Sequence, residues 1–127
     1  KNLKIKLNED FFTSKPFKFS DYIRLQMDSF LVLSDSGTIN EEASILNFKA
    51  INIRDSYERP ESAEEASTIL SSVNHLDILR ACHLAVLNER KSLRIVQDYN
   101  VDNFALKFCR IIQGHIGYVN RNVWKKY

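Results

Sequence analysis

Residues 92–113 read Ser-Leu-Arg-Ile-Val-Gln-Asp-Tyr-Asn-Val-Asp-Asn-Phe-Ala-Leu-Lys-Phe-Cys-Arg-Ile-Ile-Gln. The second half is the clearest helical pattern in the chain. Val101, Phe104, Ala105, Phe108, Ile111 and Ile112 recur at i, i+3, i+4, i+7 spacing. Asn100 stands before it as a cap and Gly114 after it as a terminator. The first half, 92–99, fits a short helix or a strand equally well. The fold turns on which it is.

Working outward, the residues before this stretch divide at polar caps. A first helix is expected from Ser20 to Gly37, with Ile23, Met27, Phe30, Leu31 and Ser34 on its inner face. Thr38 and Glu41 form a capping-box pattern for a second helix, to about Phe48. Residues 48–54 then alternate like a strand, and 54–62 read as a surface loop. Ser62 and Glu65 suggest another capping box, with Ala66, Ile69, Leu70 and Val73 facing inward. Asn74 caps the next helix, to about Asn88, with Leu76, Leu79, Cys82, Val86 and Leu87 expected to be buried. Residues 3–7 alternate apolar and basic, as in a short strand or extended arm. The tail, 115–127, reads as a short hairpin or an irregular last helix.

Taken as a short helix, residues 92–99 lead through the polar turn at Asn100 into the next helix, a helix-turn-helix layout. With a helix at 75–89 and a hairpin around Asn120-Arg121-Asn122, residues 75–127 resemble a winged-helix domain. An ordinary helical hairpin in an all-α bundle fits the same pattern. The resemblance implies that Lys107, Arg110 and Gln113 on the second helix, with Arg121, Lys125 and Lys126 in the wing, could reach nucleic acid. Winged helices also dimerise and dock partners, a use that suits Asp102 and an exposed Leu106 better.

Composition sets the outer bounds. The 127 residues fit one domain. They are 44% apolar and 27% charged, with only 3 Gly and 2 Pro, which argues against collagen, low-complexity and turn-rich β classes. No apolar run is long enough for a membrane span. The net charge is +2 but unevenly placed. Residues 1–18 and 90–127 are basic and 35–65 acidic, which suggests an oriented electrostatic surface or three solvated faces that partly neutralise each other on folding. Cys82 and Cys109 lie in apolar surroundings and suit buried reduced thiols. His75, His83 and His115 are too scattered for a metal site, and Cys109 with His83 or His115 is a weak nucleophile–base pairing. Glu61, Glu64 and Glu65 are explained by the first turn of a helix. The missing initial Met suggests a processed chain or a domain of a longer protein.

The expectation is therefore a mainly α domain with one or two small β elements, a winged-helix variant with an N-terminal extension. It forms a single domain, 1–127, with an arm over 1–18, a helical extension over 19–74 and the winged-helix-like part over 75–127. Its expected role is a non-catalytic interaction module within a larger nuclear chromatin, transcription or replication protein, intracellular, acting by homodimerisation or partner docking. Leu106, Tyr118, Val119 and Trp124 are the candidate contacts. The alternative is DNA binding through the basic C-terminal third. No enzyme activity, cofactor, metal, membrane or small-molecule substrate is expected.

Overall fold

The structure, a computed structural model, describes residues 8–56 and 58–126. The strand expected at 3–7 lies outside the described residues. Five helices and three strands follow in the order α1 (Phe19–Asp28), β1 (Val32–Ser34), α2 (Ile39–Leu46), β2 (Ala50–Ile53), α3 (Pro60–Glu64), β3 (Thr68–Ser71), α4 (His75–Leu87) and α5 (Phe104–Asn122). Two 3-10 turns, Arg90–Ser92 and Gln97–Tyr99, lie between α4 and α5.

The strands form one parallel sheet in the order β1-β2-β3. Ala50 is opposite Val32 on one side and Thr68 on the other. Alternation along β2 sends neighbours to opposite faces. Ala50 joins a core with Ile39, Ala43 and Phe48, under α2. Ile51 joins a second core with Ala81 and Ala85, under α4. The protein is thus an α/β sandwich, helices on both faces of a parallel sheet, and the expected mainly α fold is corrected.

The corrections have local causes. The helix expected over 20–37 stops at Asp28, and Phe30-Leu31-Val32-Leu33 instead enters β1. The inner residue of α1 is Gln26, not the apolar set expected. The helix expected after Ser62 lasts five residues. Ala66 turns left-handed, φ 59, while its amide bonds Ala63 O and that of Ser67 bonds Ser62 O. This closes α3 with a Schellman pattern that usually favours glycine at the left-handed position. The chain re-emerges as β3, four residues long and flanked by serines, where periodicity carries little signal. The same device ends α2: Asn47 has φ 54 and the Phe48 amide reaches Ala43 O, delivering Phe48 fully buried into the core.

The winged-helix layout is absent. Residues 92–99 are neither helix nor strand but two 3-10 turns joined by extended chain. The long helix begins at Phe104, after Asn100, and runs through Gly114 and Gly117 to Asn122, where a hairpin was expected. No α5 side chain is buried. The expected β2 strand is present, and so is α4, whose Leu76 amide donates to Asn74 Oδ1 at 2.8 Å. Its buried residues are Ala81 and Ala85, however, and Leu76, Leu79, Val86 and Leu87 are exposed. Cys82 is half-buried and Cys109 exposed, both free.

Residues 90–99 strap the helices together. Arg90 Nη2 donates to Ser29 O at 2.7 Å, beyond the end of α1. The Arg94 amide donates to Glu65 O, and Arg94 Nε pairs with Glu65 at 2.8 Å. The Val96 amide donates to the buried Ser44 Oγ of α2 at 2.9 Å. Tyr99 then donates its phenol hydrogen to Glu61 at 2.6 Å. Burial, reinforced by this carboxylate, pushes the Tyr99 phenol well above its ordinary range, while the Tyr99 hydrogen bond holds Glu61 below its own.

Two predictions follow from packing. Phe48→Ala should lower unfolding free energy by about 3–5 kcal/mol in urea denaturation. Tyr99→Phe should cost about 1 kcal/mol at neutral pH. Because Glu61 is depressed in the folded state, that contribution is complete above its unfolded value near 4.5. It is lost as pH falls through the lower folded value. Wild type and Tyr99→Phe should therefore converge in stability in acid, as read by thermal melts at stepped pH.

Candidate functional site

Parallel strands all end at the same edge of the sheet, and in open α/β sheets ligands bind at that edge. Here the edge carries the loop after β1, Asp35–Thr38, and, after β2, residues 54–56 and 58–59. The first loop is tied down by its own hydroxyls. The Ser36 amide donates to Ser34 Oγ at 3.1 Å, and Ser36 Oγ and Thr38 Oγ1 are 2.9 Å apart. Thr38 Oγ1 then donates to Glu42 Oε1 at 2.8 Å, where a capping box with Glu41 had been expected.

Gly37 occupies the turn into α2, and its role is space. A methyl group there would lie 2.9 Å from Arg59 Nη1 and 3.5 Å from Arg54 Nη1. Two guanidinium groups therefore converge over a backbone without a side chain. They do so beside the first turn of α2, whose amide N–H groups have no helical acceptors and whose dipole favours anions. The combination suits a phosphate or diphosphate.

The arginines are aimed by acids. Arg59 Nε pairs with Glu41 Oε1, and Arg59 Nη1 lies 3.5 Å from Glu58. Arg54 Nη2 lies 3.5 Å from the same Glu58 carboxylate. The Glu41 hydrogen bond and charge raise Arg59 above its already high ordinary value, so its charge is permanent. Glu41 keeps one oxygen in reserve: Oε2 is buried and has no hydrogen-bond partner. Asn52 Oδ1, at the end of β2, is likewise buried and unpartnered.

A second layer holds these groups in place. Asn40 accepts from Thr68 Oγ1 at 3.0 Å, and Thr68 Oγ1 is 2.8 Å from Ser62 Oγ, so α2, β3 and α3 share one buried polar network. Ser62 Oγ also donates to Arg59 O at 3.2 Å. Glu42 accepts from Gln26 Nε2 at 2.6 Å and fixes α1 against α2. The burial of Tyr22 and the nearby Glu42 raise the Tyr22 phenol.

The residues singled out from sequence lie elsewhere. Leu106 and Tyr118 are exposed on α5, Val119 is half-buried there, and Trp124 is exposed beyond its end. Lys107, Arg110, Gln113 and Arg121 are exposed on the same helix, and Lys125 and Lys126 follow it. The structure does not bring them to a recognition helix and wing, because those elements are absent. His115 is occupied by the Ile111 carbonyl one turn back, at 2.8 Å. Glu61, Glu64 and Glu65 divide between strap contacts and solvent. Among the described residues, no group of three or more His, Cys, Asp or Glu could hold a metal, and no helix is long and apolar enough to cross a membrane.

Gly37, Glu41, Arg54 and Arg59 were missed. Their signal was the apolar run at 30–33 followed by Ser-Asp-Ser-Gly-Thr, a buried strand opening through a glycine into a helix. Placing Gly37 at a helix end concealed it.

Comparison with known proteins agrees with this edge rather than with the winged helix. The family model described as UDP-N-acetylglucosamine 2-epimerase matches residues 2–113. A Methanocaldococcus jannaschii protein of that name is 33% identical over 89 residues, 70% of this chain and 24% of its own length. One from Methanococcus maripaludis is 30% identical over 76 residues, 60% of this chain and 21% of its own length. The chain thus spans about a quarter of the curated relatives it matches. The solved epimerase of Rickettsia bellii superposes with a TM-score of 0.75 at 41% identity, covering 87% of this chain and 31% of that one. The Methanocaldococcus jannaschii epimerase in complex with UDP-GlcNAc and UDP superposes with a TM-score of 0.69 at 27% identity, covering 80% and 27%.

These relatives overturn the expectation of a non-catalytic or DNA-binding module, and a nuclear chromatin role loses its only ground with the winged helix. They also overturn the exclusion of a small-molecule substrate, since a relative holds UDP-GlcNAc and UDP. The parallel sheet, the glycine-containing turn and the matched residues 2–113 agree: the chain belongs to the UDP-N-acetylglucosamine 2-epimerase family.

Proposed function

We propose that this chain supplies the nucleotide-holding part of a UDP-N-acetylglucosamine 2-epimerase, with the diphosphate over Gly37. The observation that carries this is the convergence of Arg54 and Arg59 on a bare glycine at the start of α2. Arginine forks pair with phosphate oxygens, and the helix amides favour the same charge. Glu41 serves this reading through Oε1, which aims Arg59. The groups named here bind and orient; epimerisation belongs to the assembled enzyme.

The α5 surface takes a different place in the same reading. Its apolar residues are uncovered, Phe104 and Phe108 among them. The chain matches about a quarter of an epimerase's length. We propose that Leu106, Tyr118, Val119 and Trp124 belong to the face that meets the remainder, in the same or another polypeptide.

Calorimetric titration with UDP, UDP-GlcNAc and uridine tests the diphosphate cradle. UDP should bind more weakly as salt rises and at least about tenfold more tightly than uridine. Arg59→Ala should weaken UDP by about tenfold or more. Gly37→Ala should leave the fold intact, since its backbone needs no left-handed conformation, and weaken UDP less than Arg59→Ala does, because the methyl group meets only the flexible end of Arg59. If neither UDP nor UDP-GlcNAc binds, the proposed role is wrong.

A further inference from the structure

The one buried residue of α1 is an amide, Gln26, 4% exposed. Its Nε2 uses both hydrogens, one on Glu42 Oε2 at 2.6 Å and one on Tyr22 Oη at 2.8 Å. Tyr22 in turn donates to Glu42 Oε2 at 3.4 Å. Gln26 Oε1 is left buried without a partner. Turning the amide over would set its oxygen against the Glu42 carboxylate, two acceptors facing each other. The carboxylate therefore fixes the amide, although one buried acceptor stays unmet.

The other Glu42 oxygen reaches the edge loop. Thr38 Oγ1 donates to Oε1 at 2.8 Å. A carboxylate at neutral pH only accepts, and a hydroxyl has a single hydrogen. Thr38 Oγ1 has none left for Ser36 Oγ, 2.9 Å away, so Ser36 is the donor of that pair. Ser36 Oγ accepts from the Thr38 amide at 3.3 Å, and the Ser36 amide donates to Ser34 Oγ at 3.1 Å. Gly37 stands between Ser36 and Thr38, which are thus closed on each other across it. An unbroken line of hydrogen bonds, its hydroxyl directions set by the carboxylate, runs from the buried amide of α1 to the turn where the two guanidinium groups converge.

We infer that Gln26 is a positioning residue of the Gly37 turn: through Glu42 and Thr38 it fixes the backbone on which Arg54 and Arg59 converge. A turn already shaped loses less on binding than one that must be ordered. The effect on ligand rests on the diphosphate reading above; the effect on the turn does not.

Gln26→Met keeps the length of the side chain and deletes its donors. It should shift the Gly37 amide signal in proton–nitrogen NMR spectra of the unliganded chain and weaken UDP about fivefold. Thr38→Val should weaken UDP to the same degree, and Thr38→Ser, which keeps the hydroxyl, should bind like wild type. The two residues act in series. In the Thr38→Val background, Gln26→Met should neither move the Gly37 signal nor weaken UDP further. Thr38 is exposed, so its variants read the line from the other end even if Gln26→Met does not fold. Thr38→Val should shift the Gln26 side-chain amide signals, and Thr38→Ser should not.

A Gly37 signal unmoved in Gln26→Met overturns the inference. So do effects of Gln26→Met as large in Thr38→Val as in wild type, which would make Gln26 a packing residue between α1 and α2. Gln26 side-chain signals unmoved by Thr38→Val overturn it too, since the line would then carry nothing between its ends. If wild type takes no UDP, the diphosphate reading fails, and the amide signals still decide the role of Gln26.

Discussion

Burying β2 on both faces is the constraint from which the edge site arises. A strand covered by α2 on one side and α4 on the other has no solvated face, so Ala50, Ile51 and Asn52 are all nearly inaccessible. Its parallel partners must then be joined by crossovers that carry helices, because a tight hairpin cannot connect parallel strands. Each strand therefore delivers its C-terminal end to the same edge, and each crossover begins there. The loops after β1 and β2 are neighbours for that reason alone. Arg54 and Arg59 meet Gly37 because the sheet brings together segments about 20 residues apart along the chain.

Two cations held close together repel, and the edge answers with carboxylates. Glu58 lies 3.5 Å from both guanidinium groups, and Glu41 binds that of Arg59. These are half-exposed pairs, whose worth in stability is small. Their value is geometric: they fix where the remaining N–H groups point. An anion entering over Gly37 meets donors already aimed, so little of its binding is lost to ordering long side chains. The buried oxygens left without partners at Glu41 and Asn52 carry the complementary cost, since an unmet acceptor in a dry setting is unfavourable until something donates to it.

Legibility in the sequence followed the length of the signal. α4 was readable because thirteen residues sit behind a clear Asn74 cap, and β2 because Ile51 and Ile53 alternate with polar neighbours. α2 was placed nearly correctly from Thr38 and Glu41, though Thr38 bonds Glu42 instead. β1 and β3 were lost because three or four buried residues have no period of their own. At β3 the misleading features were chemical: Ser62 and Glu65 looked like a helix start, and only the left-handed Ala66, a residue that disfavours that conformation, ends it. The site went unread for the same reason. Read as the terminator of a long helix, Gly37 hides the turn between β1 and α2 in which it stands.

The winged-helix resemblance failed at residues 92–99, and the cause is tertiary. Leu93, Ile95, Val96 and Tyr99 share a spacing that a short helix would use, but the strap leaves Ile95 exposed and Leu93 and Tyr99 half-buried. Val96 alone is buried, held by an amide bond to Ser44. Tyr99 turns to Glu61. A helix here would pull the Val96 amide back to its own i−4 carbonyl, leaving Ser44 Oγ without its donor inside the core. It would also withdraw Tyr99 from α3. The chain is extended only over residues 93–96, where it carries the Arg94 amide to Glu65 O and the Val96 amide to Ser44 Oγ, and it tightens into the 3-10 turn Gln97–Tyr99 before the phenol reaches Glu61. The strap's irregular shape thus follows from the contacts it makes with Ser44 of α2 and Glu61 of α3.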